Sequence, residues 1–289
     1  MDRRPEFLEH RVVLADGLRM YCRDYPAARP GDRPTVLCLP GLTRNCRDFE
    51  GLASALAGRH RVLTPDLRGR GGSDRDPEWR HYQPLNYVAD VAHLLRVLGA
   101  GRVVVIGTSL GGLIAMLMAA LQPEALAGVV LNDIGPELEP TGISRIGTYV
   151  GQLPPLRTWN EAAAQARRVH EGVLPDLGEA GWMAFARRVY REESPGLIVP
   201  DMDPMIGVAM RETAGQAADL WVLYRALNEV PTLAIRGELS DLLSADTLRR
   251  MKETKPDLQT LVVPRRGHAP TLDEPECRRA IAEFIEPIR

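Results

Sequence analysis

The sequence is short of several things that would mark a specialised chain. No apolar run reaches the roughly 18 residues of a membrane-crossing helix, and the charged start, residues 1–11, lacks the apolar centre of a secretory signal. A cytoplasmic protein with no membrane partner is expected. Cysteine is scarce: Cys22, Cys38, Cys46 and Cys277 include no C-x-x-C pair, so spacing offers neither a zinc site nor a disulfide framework, and reduced thiols are the expectation. Lysine is nearly missing, with only Lys252 and Lys255, so arginine carries the positive charge. No chemistry is assigned to that bias. The formal net charge is -2 and no basic run is concentrated, which argues against nucleic acid and against a charged membrane surface as partners. A small neutral or mildly polar molecule is the expected partner, and oligomeric state is not legible.

What is present is an alternation of short apolar strands and helical segments. At 289 residues the chain exceeds the usual domain of about 100 to 200 residues, leaving room for one α/β core with an insertion. Residues 7–14 and 18–24, joined at Asp16-Gly17, read as an antiparallel hairpin. Short buried strands are expected at 35–39, 61–65, 103–106 and 128–132, and helices at 48–57 and 87–98, the latter with apolar residues at Val88, Val91, Leu94, Leu95 and Leu98. Such a succession implies a parallel sheet covered on both faces. The rhythm lapses over 135–227, where helical patterns at 161–171 and 181–192 are interrupted by Pro154-Pro155, Pro175, Pro195, Pro200 and Pro204, and no strand is evident. It resumes with a strand at 231–236, a helix at 244–254, a strand at 259–263 and a terminal helix at 274–288. The expected organisation is a core, 1–134 and 228–289, split by a helical lid, 135–227.

One segment carries chemistry. Val103-Val104-Val105-Ile106 runs into Gly107-Thr108-Ser109-Leu110-Gly111-Gly112, and an apolar helical stretch follows. A strand, a sharp turn and a helix with serine at the apex form the Gly-x-Ser-x-Gly nucleophile elbow, in which small neighbours let strand and helix approach and the hydroxyl stays exposed.

A serine hydroxyl is too weakly acidic to attack near neutrality, so it needs a base and a group that orients that base. Of six histidines, His10, His60 and His81 lie in hairpin or loop surroundings, and His93 and His170 sit on expected helices as solvated or packed rings. His268 follows the last strand directly after Gly267, at the carboxyl edge where open α/β sheets place their sites. For the acid, Asp241 after the penultimate strand is favoured over Asp133 after the strand that follows the elbow, because Asp241 lies in a short loop beside the histidine's own strand. Glu238 is third.

The order Ser109, Asp241, His268 is that of the α/β-hydrolase triad. With Leu39-Pro40-Gly41-Leu42, the segment from Asp66 to Ser73 (Asp-Leu-Arg-Gly-Arg-Gly-Gly-Ser) and Gly267-His268-Ala269-Pro270 before Glu274-Pro275, the chain resembles lid-bearing serine esterases and lactonases of the α/β-hydrolase fold over nearly its whole length. The resemblance implies a mostly parallel eight-stranded sheet with helices on both faces and a lid after the sixth strand. It assigns the backbone N–H groups of Leu42 and Leu110 to the oxyanion hole, although Pro40 stands where the family usually has histidine. It makes 66–73 a structural loop; without a Gly-Lys-Ser/Thr ending, the glycines there are not a phosphate loop.

The expected reaction is hydrolysis of a small or medium carboxylic ester or lactone through an acyl-enzyme, with no metal or organic cofactor. A histidine base must be neutral, so activity is expected to fall on acidification through about 6.5, where an ordinary histidine titrates. Serine at the elbow argues against dehalogenase and epoxide hydrolase chemistry, for which this fold resembles the same layout with aspartate. Carbon–carbon bond hydrolysis on the same triad, cofactor-free perhydrolysis, and a ligand receptor with little turnover are the alternatives. Thr43, Arg44 and Asn45 are placed to line an acyl pocket, with a solvent-exposed turn equally open for Arg44. Tyr149, Trp159, Trp182, Met202, Met205, Met210 and Trp221 offer either a pocket wall or lid core, and with 5% aromatic residues a largely aliphatic pocket is expected.

Overall fold

Two antiparallel strands, Leu8–Val13 (β1) and Arg19–Tyr25 (β2), form the first hairpin of the computed structural model, which describes residues 7–28, 33–214 and 219–289. Residues 1–6 and 29–32 of the expected first core segment and residues 215–218 of the expected lid lie outside these. The hairpin turns at Asp16-Gly17, where Gly17 takes φ +89°, a region that only glycine enters without strain. Then come Thr35–Leu39 (β3), Glu50–Leu56 (α1), Val62–Pro65 (β4), Pro84–Val97 (α2), Val103–Thr108 (β5), Leu110–Leu121 (α3) and Leu126–Asn132 (β6). The helix α1 is preceded by a 3-10 turn, Cys46–Phe49, capped by the Asn45 side chain.

After β6 the chain leaves the sheet. Pro140–Gly147 (α4), Trp159–His170 (α5), Glu179–Val189 (α6), the strands Tyr190–Ser194 (β7) and Leu197–Pro200 (β8), Met205–Glu212 (α7) and Leu220–Arg225 (α8) build the lid. Thr232–Gly237 (β9), Ala245–Thr254 (α9), Gln259–Val263 (β10) and Pro275–Ile285 (α10) complete the core.

The sheet has eight strands in the order β1-β2-β4-β3-β5-β6-β9-β10, antiparallel at β1/β2 and β2/β4 and parallel elsewhere. Its central strands are buried on both faces, which is why they read as unbroken apolar runs. Alternate residues serve opposite layers: Leu37, Leu39, Val103 and Val105 pack with Val91 and Leu94 of α2 and Ile114 and Met118 of α3, whereas Val36, Cys38, Val104 and Ile106 pack with Leu52 of α1 and Ile281 and Phe284 of α10. All four cysteines are buried thiols. Among the described residues no helix is long and apolar enough to cross a membrane.

The lid has its own small core, in which Ala162 and Ala166 of α5 meet Trp182, Phe185 and Ala186 of α6 and Tyr190 and Ile198 of the hairpin. That hairpin corrects the expectation of a strandless insertion: the chain leaves α6 at Val189, turns at Ser194-Pro195-Gly196 with Gly196 at φ +73°, and returns. Its strands escape a reading by apolar pattern because Arg191, Glu192, Glu193 and Ser194 are turned largely to solvent. An isolated bridge between Leu156 and Ile198 extends the pairing on the β8 side.

Candidate active site

At the end of β5 the backbone of Ser109 is held at φ +51°, ψ -113°, a strained conformation for a residue with a side chain. It is tolerated because the neighbours have none: a Cβ on Gly107 would collide with the Gly111 backbone, and one on Gly111 with the Leu39 carbonyl. The Ser109 N–H donates to the Asn132 carbonyl at 3.0 Å, tying the apex to β6.

The loop after β10 brings His268 to this serine, with Nε2 3.0 Å from Ser109 Oγ. Its Nδ1 lies 2.8 Å from Asp133 Oδ2. With the proton on Nδ1 donated to the carboxylate, Nε2 is left to accept from the serine hydroxyl. The ring is 7% exposed and the Asp133 side chain 0%, so the line is shielded from competing water.

The acid beside His268 is therefore Asp133 and not Asp241, which corrects the expectation from strand adjacency. Asp133 directly follows the last residue of β6 and takes φ +57°. Its Oδ1 accepts the Gly237 N–H at 2.6 Å, and Oδ2 also accepts the Ser240 hydroxyl at 2.5 Å. The end of β9 and the loop after it thus donate hydrogen bonds to the acid. Ser240 Oγ in turn accepts the N–H groups of Leu242 and Leu243, which fold that loop back. Asp241, one residue along, is directed to the lid, where Arg145 of α4 donates to it at 2.6 and 2.9 Å and holds its carboxyl below the usual carboxylate range. Glu238 accepts the Arg265 N–H at 2.9 Å.

Leu42 lies on the wall of the cavity that exposes Ser109 and His268. Leu110 is the first residue of α3, so its N–H has no carbonyl one turn earlier to satisfy it. The Leu42 peptide is braced by a residue that pattern reading passed over. Arg70, 1% exposed, donates through Nε to the Leu42 carbonyl at 2.9 Å and through Nη1 to the Arg68 carbonyl at 2.7 Å and the Tyr87 hydroxyl at 2.9 Å. Asp66 of the same loop accepts the Gly72 N–H within the loop and the Cys46 N–H from the 3-10 turn before α1. The only sequence signal for Arg70 was its place in the glycine-rich segment 66–73.

Two chambers meet at the site. The inner, about 100 Å³, is floored by Ser109 and His268 and walled by Leu42, Phe185 and Arg188. The outer, about 300 Å³, is lined by lid residues including Val189, Val199 and Met202. Thr43, Arg44, Tyr149 and His170 line both and form the neck. Arg44 is no free surface charge, since Asp48 accepts from it twice at 2.6 Å. Of the residues open to either a wall or a lid-core role, Tyr149 and Met202 line the chambers. Trp182 and Trp159 belong with the lid core, while Met205, Met210 and Trp221 pack against the main core. Asn45, 1% exposed, joins core to lid by donating to the Arg188 carbonyl at 2.9 Å.

His170, read from the sequence as a packed or solvated ring, is packed, between Tyr149 and Phe185 at centroid distances of 5.7 and 5.0 Å. It is also part of the chamber wall. Burial, and then the charges of Arg44 and Arg145, lower its pKa to about 3, so it is neutral.

Comparison with known proteins shows the family. Residues 36–279 match the model of the alpha/beta hydrolase family. The chain is 34% identical over 263 residues to a 3-hydroxybutyrate-oligomer hydrolase of Cupriavidus necator, covering 85% of this chain and 86% of that protein. It is 31% identical over 259 residues to a 2-(acetamidomethylene)succinate hydrolase of Mesorhizobium japonicum, covering 89% of each. The crystal structure of an alpha/beta hydrolase from Novosphingobium aromaticivorans superposes with a TM-score of 0.91 at 45% identity, covering 97% of this chain and 98% of that one.

Proposed function

The chain belongs to the alpha/beta hydrolase family, and on that premise we propose that it is a serine hydrolase cleaving a small or medium carboxylic ester or lactone through an acyl-enzyme. The observation that carries the reading is the continuous line from Ser109 Oγ through His268 to Asp133, at 3.0 and 2.8 Å. In this reading Ser109 attacks the carbonyl as His268 takes its proton, and Asp133 fixes the tautomer and steadies the imidazolium. His268 then returns the proton to the leaving oxygen, and water repeats the sequence on the acyl-enzyme. The N–H groups of Leu42 and Leu110 receive the oxyanion, each contributing roughly 2.7–4 kcal/mol in sites of this kind. No metal or organic cofactor enters. The Cupriavidus relative, named for hydrolysis of 3-hydroxybutyrate oligomers, supports an ester, since hydroxy acids oligomerise through ester bonds.

The test is turnover of short p-nitrophenyl esters by wild type and Ser109→Ala. Many turnovers, lost by at least about a thousandfold in the variant, are expected. Ligand-induced stabilisation without turnover would replace the enzyme with a receptor.

A further inference from the structure

The walls of the two chambers carry four guanidinium groups among the described residues, and their counter-charges differ. Arg44 is bound twice by Asp48 and stacks on Phe185, 4.4 Å from the ring centroid. In the outer chamber Arg191 pairs with Glu193 and lies 3.5 Å from Asp201, and Arg75 reaches the same Glu193 at 4.0 Å. Arg188, on the inner wall with Ser109 and His268, has one acidic neighbour among the described residues, Asp273 at 3.9 Å. That carboxylate is already engaged, accepting from Arg278 at 2.8 Å. The Asp273–Arg278 pair is packed so closely over Gly51 that a Cβ there would strike both side chains, which limits how far Asp273 can swing.

The base of Arg188 is fixed while its tip is under-partnered. Its carbonyl, in the last turn of α6, accepts from Asn45 Nδ2 at 2.9 Å and from Arg47 Nε and Nη2 at 3.1 and 2.8 Å. Asn45 and Arg47 also reach Asp201, so the lid is stitched to the core at this point. The neighbouring charges cancel: Arg44 with Asp48, and Arg145 with Asp241.

Building on the serine-hydrolase reading, we propose that Arg188 determines specificity by binding a carboxylate of the substrate, so that the preferred ester carries a free acid group within the inner chamber. The planar guanidinium fork matches a carboxylate in two parallel hydrogen bonds, a geometry that an ammonium or an uncharged side chain does not reproduce. With about 100 Å³ available beside Ser109, the acid group lies only a few carbons from the scissile carbonyl. The remaining acyl or alcohol chain passes the neck into the outer chamber. The substrate class is then an ester of a short dicarboxylic or hydroxy acid, in place of the neutral molecule expected from net charge.

The experiment is calorimetric binding to Ser109→Ala, which reads recognition without catalysis, with monomethyl glutarate and dimethyl glutarate as probes. The monoacid should bind about tenfold more tightly than the diester. Adding Arg188→Met should bring the two affinities within about twofold, and Arg188→Lys should restore part of the difference. Dimethyl glutarate binding in each variant reports an intact chamber. Equal affinities in Ser109→Ala, or a preference that survives Arg188→Met, overturn the proposal. Ester turnover that does not depend on Ser109 would remove the serine reading while leaving this binding result standing.

Discussion

The sheet edge and the lid wall form two sides of one cavity and are built on different principles. At the edge, main chain does the positioning: Ser109 and Asp133 hold positive φ at the ends of neighbouring parallel strands, and the Asp133 carboxylate is gripped by the Gly237 N–H and the Ser240 hydroxyl. At the lid, side chains do the positioning: Arg145 pairs with Asp241, Tyr149 packs on His170, and Asn45 and Arg47 donate to the Arg188 carbonyl. The edge offers a fixed reaction geometry, and the lid offers a surface that can change with few consequences for the chemistry.

The largest difference between edge and lid is expected at the two aspartates. Asp133→Asn should lower kcat by about three to four orders of magnitude, because an amide in that place favours the wrong histidine tautomer. Asp241→Asn should change kcat by no more than a few-fold, since its carboxylate pairs with Arg145 and not with His268. Steady-state kinetics on one p-nitrophenyl ester decides between them, and equal losses would erase the distinction between edge and lid.

A smaller effect is expected where core main chain is braced by a buried side chain. Arg70→Met should reduce kcat about tenfold with little change in KM, because the Leu42 peptide loses the donor on its carbonyl and only part of an oxyanion-hole contribution goes with it. A rise in KM at constant kcat would make Arg70 a determinant of binding instead.

On the lid side, the sensitive quantity is stability against pH. The folded pKa of His170, about 3, lies below the value of about 6.5 for an unfolded chain. Acidification therefore protonates the unfolded state first. The stability associated with neutral His170 is complete above about pH 6.5 and is lost as pH falls towards 3, at up to roughly 1.4 kcal/mol per pH unit. His170→Phe should flatten this part of a denaturant-midpoint profile; an unchanged slope would place the titration elsewhere. The smallest effect belongs to the Arg145–Asp241 pair. With side chains 29% and 33% exposed, its removal should cost under about 1 kcal/mol, checked by thermal unfolding of Asp241→Asn.

The same division explains what was legible in the sequence. The strand succession is a local pattern, and the sheet formed as expected; the serine after β5 and the histidine after the last strand are local patterns too, and their side chains lie 3.0 Å apart. The acid was not legible because two aspartates each follow a strand, and the choice rests on which strand end faces the serine. The strand adjacency that favoured Asp241 is present, for β9 does lie beside β10. Yet Ser240 folds its loop back, and Asp133 at φ +57° turns inward from β6. The places of His170 and Arg188 on the cavity wall, and of Arg70 behind Leu42, come from contacts between segments far apart in the chain, which no periodicity encodes. The lid hairpin was hidden because its charged, solvent-facing residues resemble a loop.

In the proposed reaction Ser109 becomes acylated during turnover. Wild-type enzyme mixed with excess p-nitrophenyl butyrate and quenched in acid within the first turnovers should show an intact-mass gain of one butyryl group. Peptide mapping should place it on Ser109, with Ser109→Ala showing none. Sustained turnover with no adduct, or an adduct on another residue, would rule out an acyl-enzyme at Ser109.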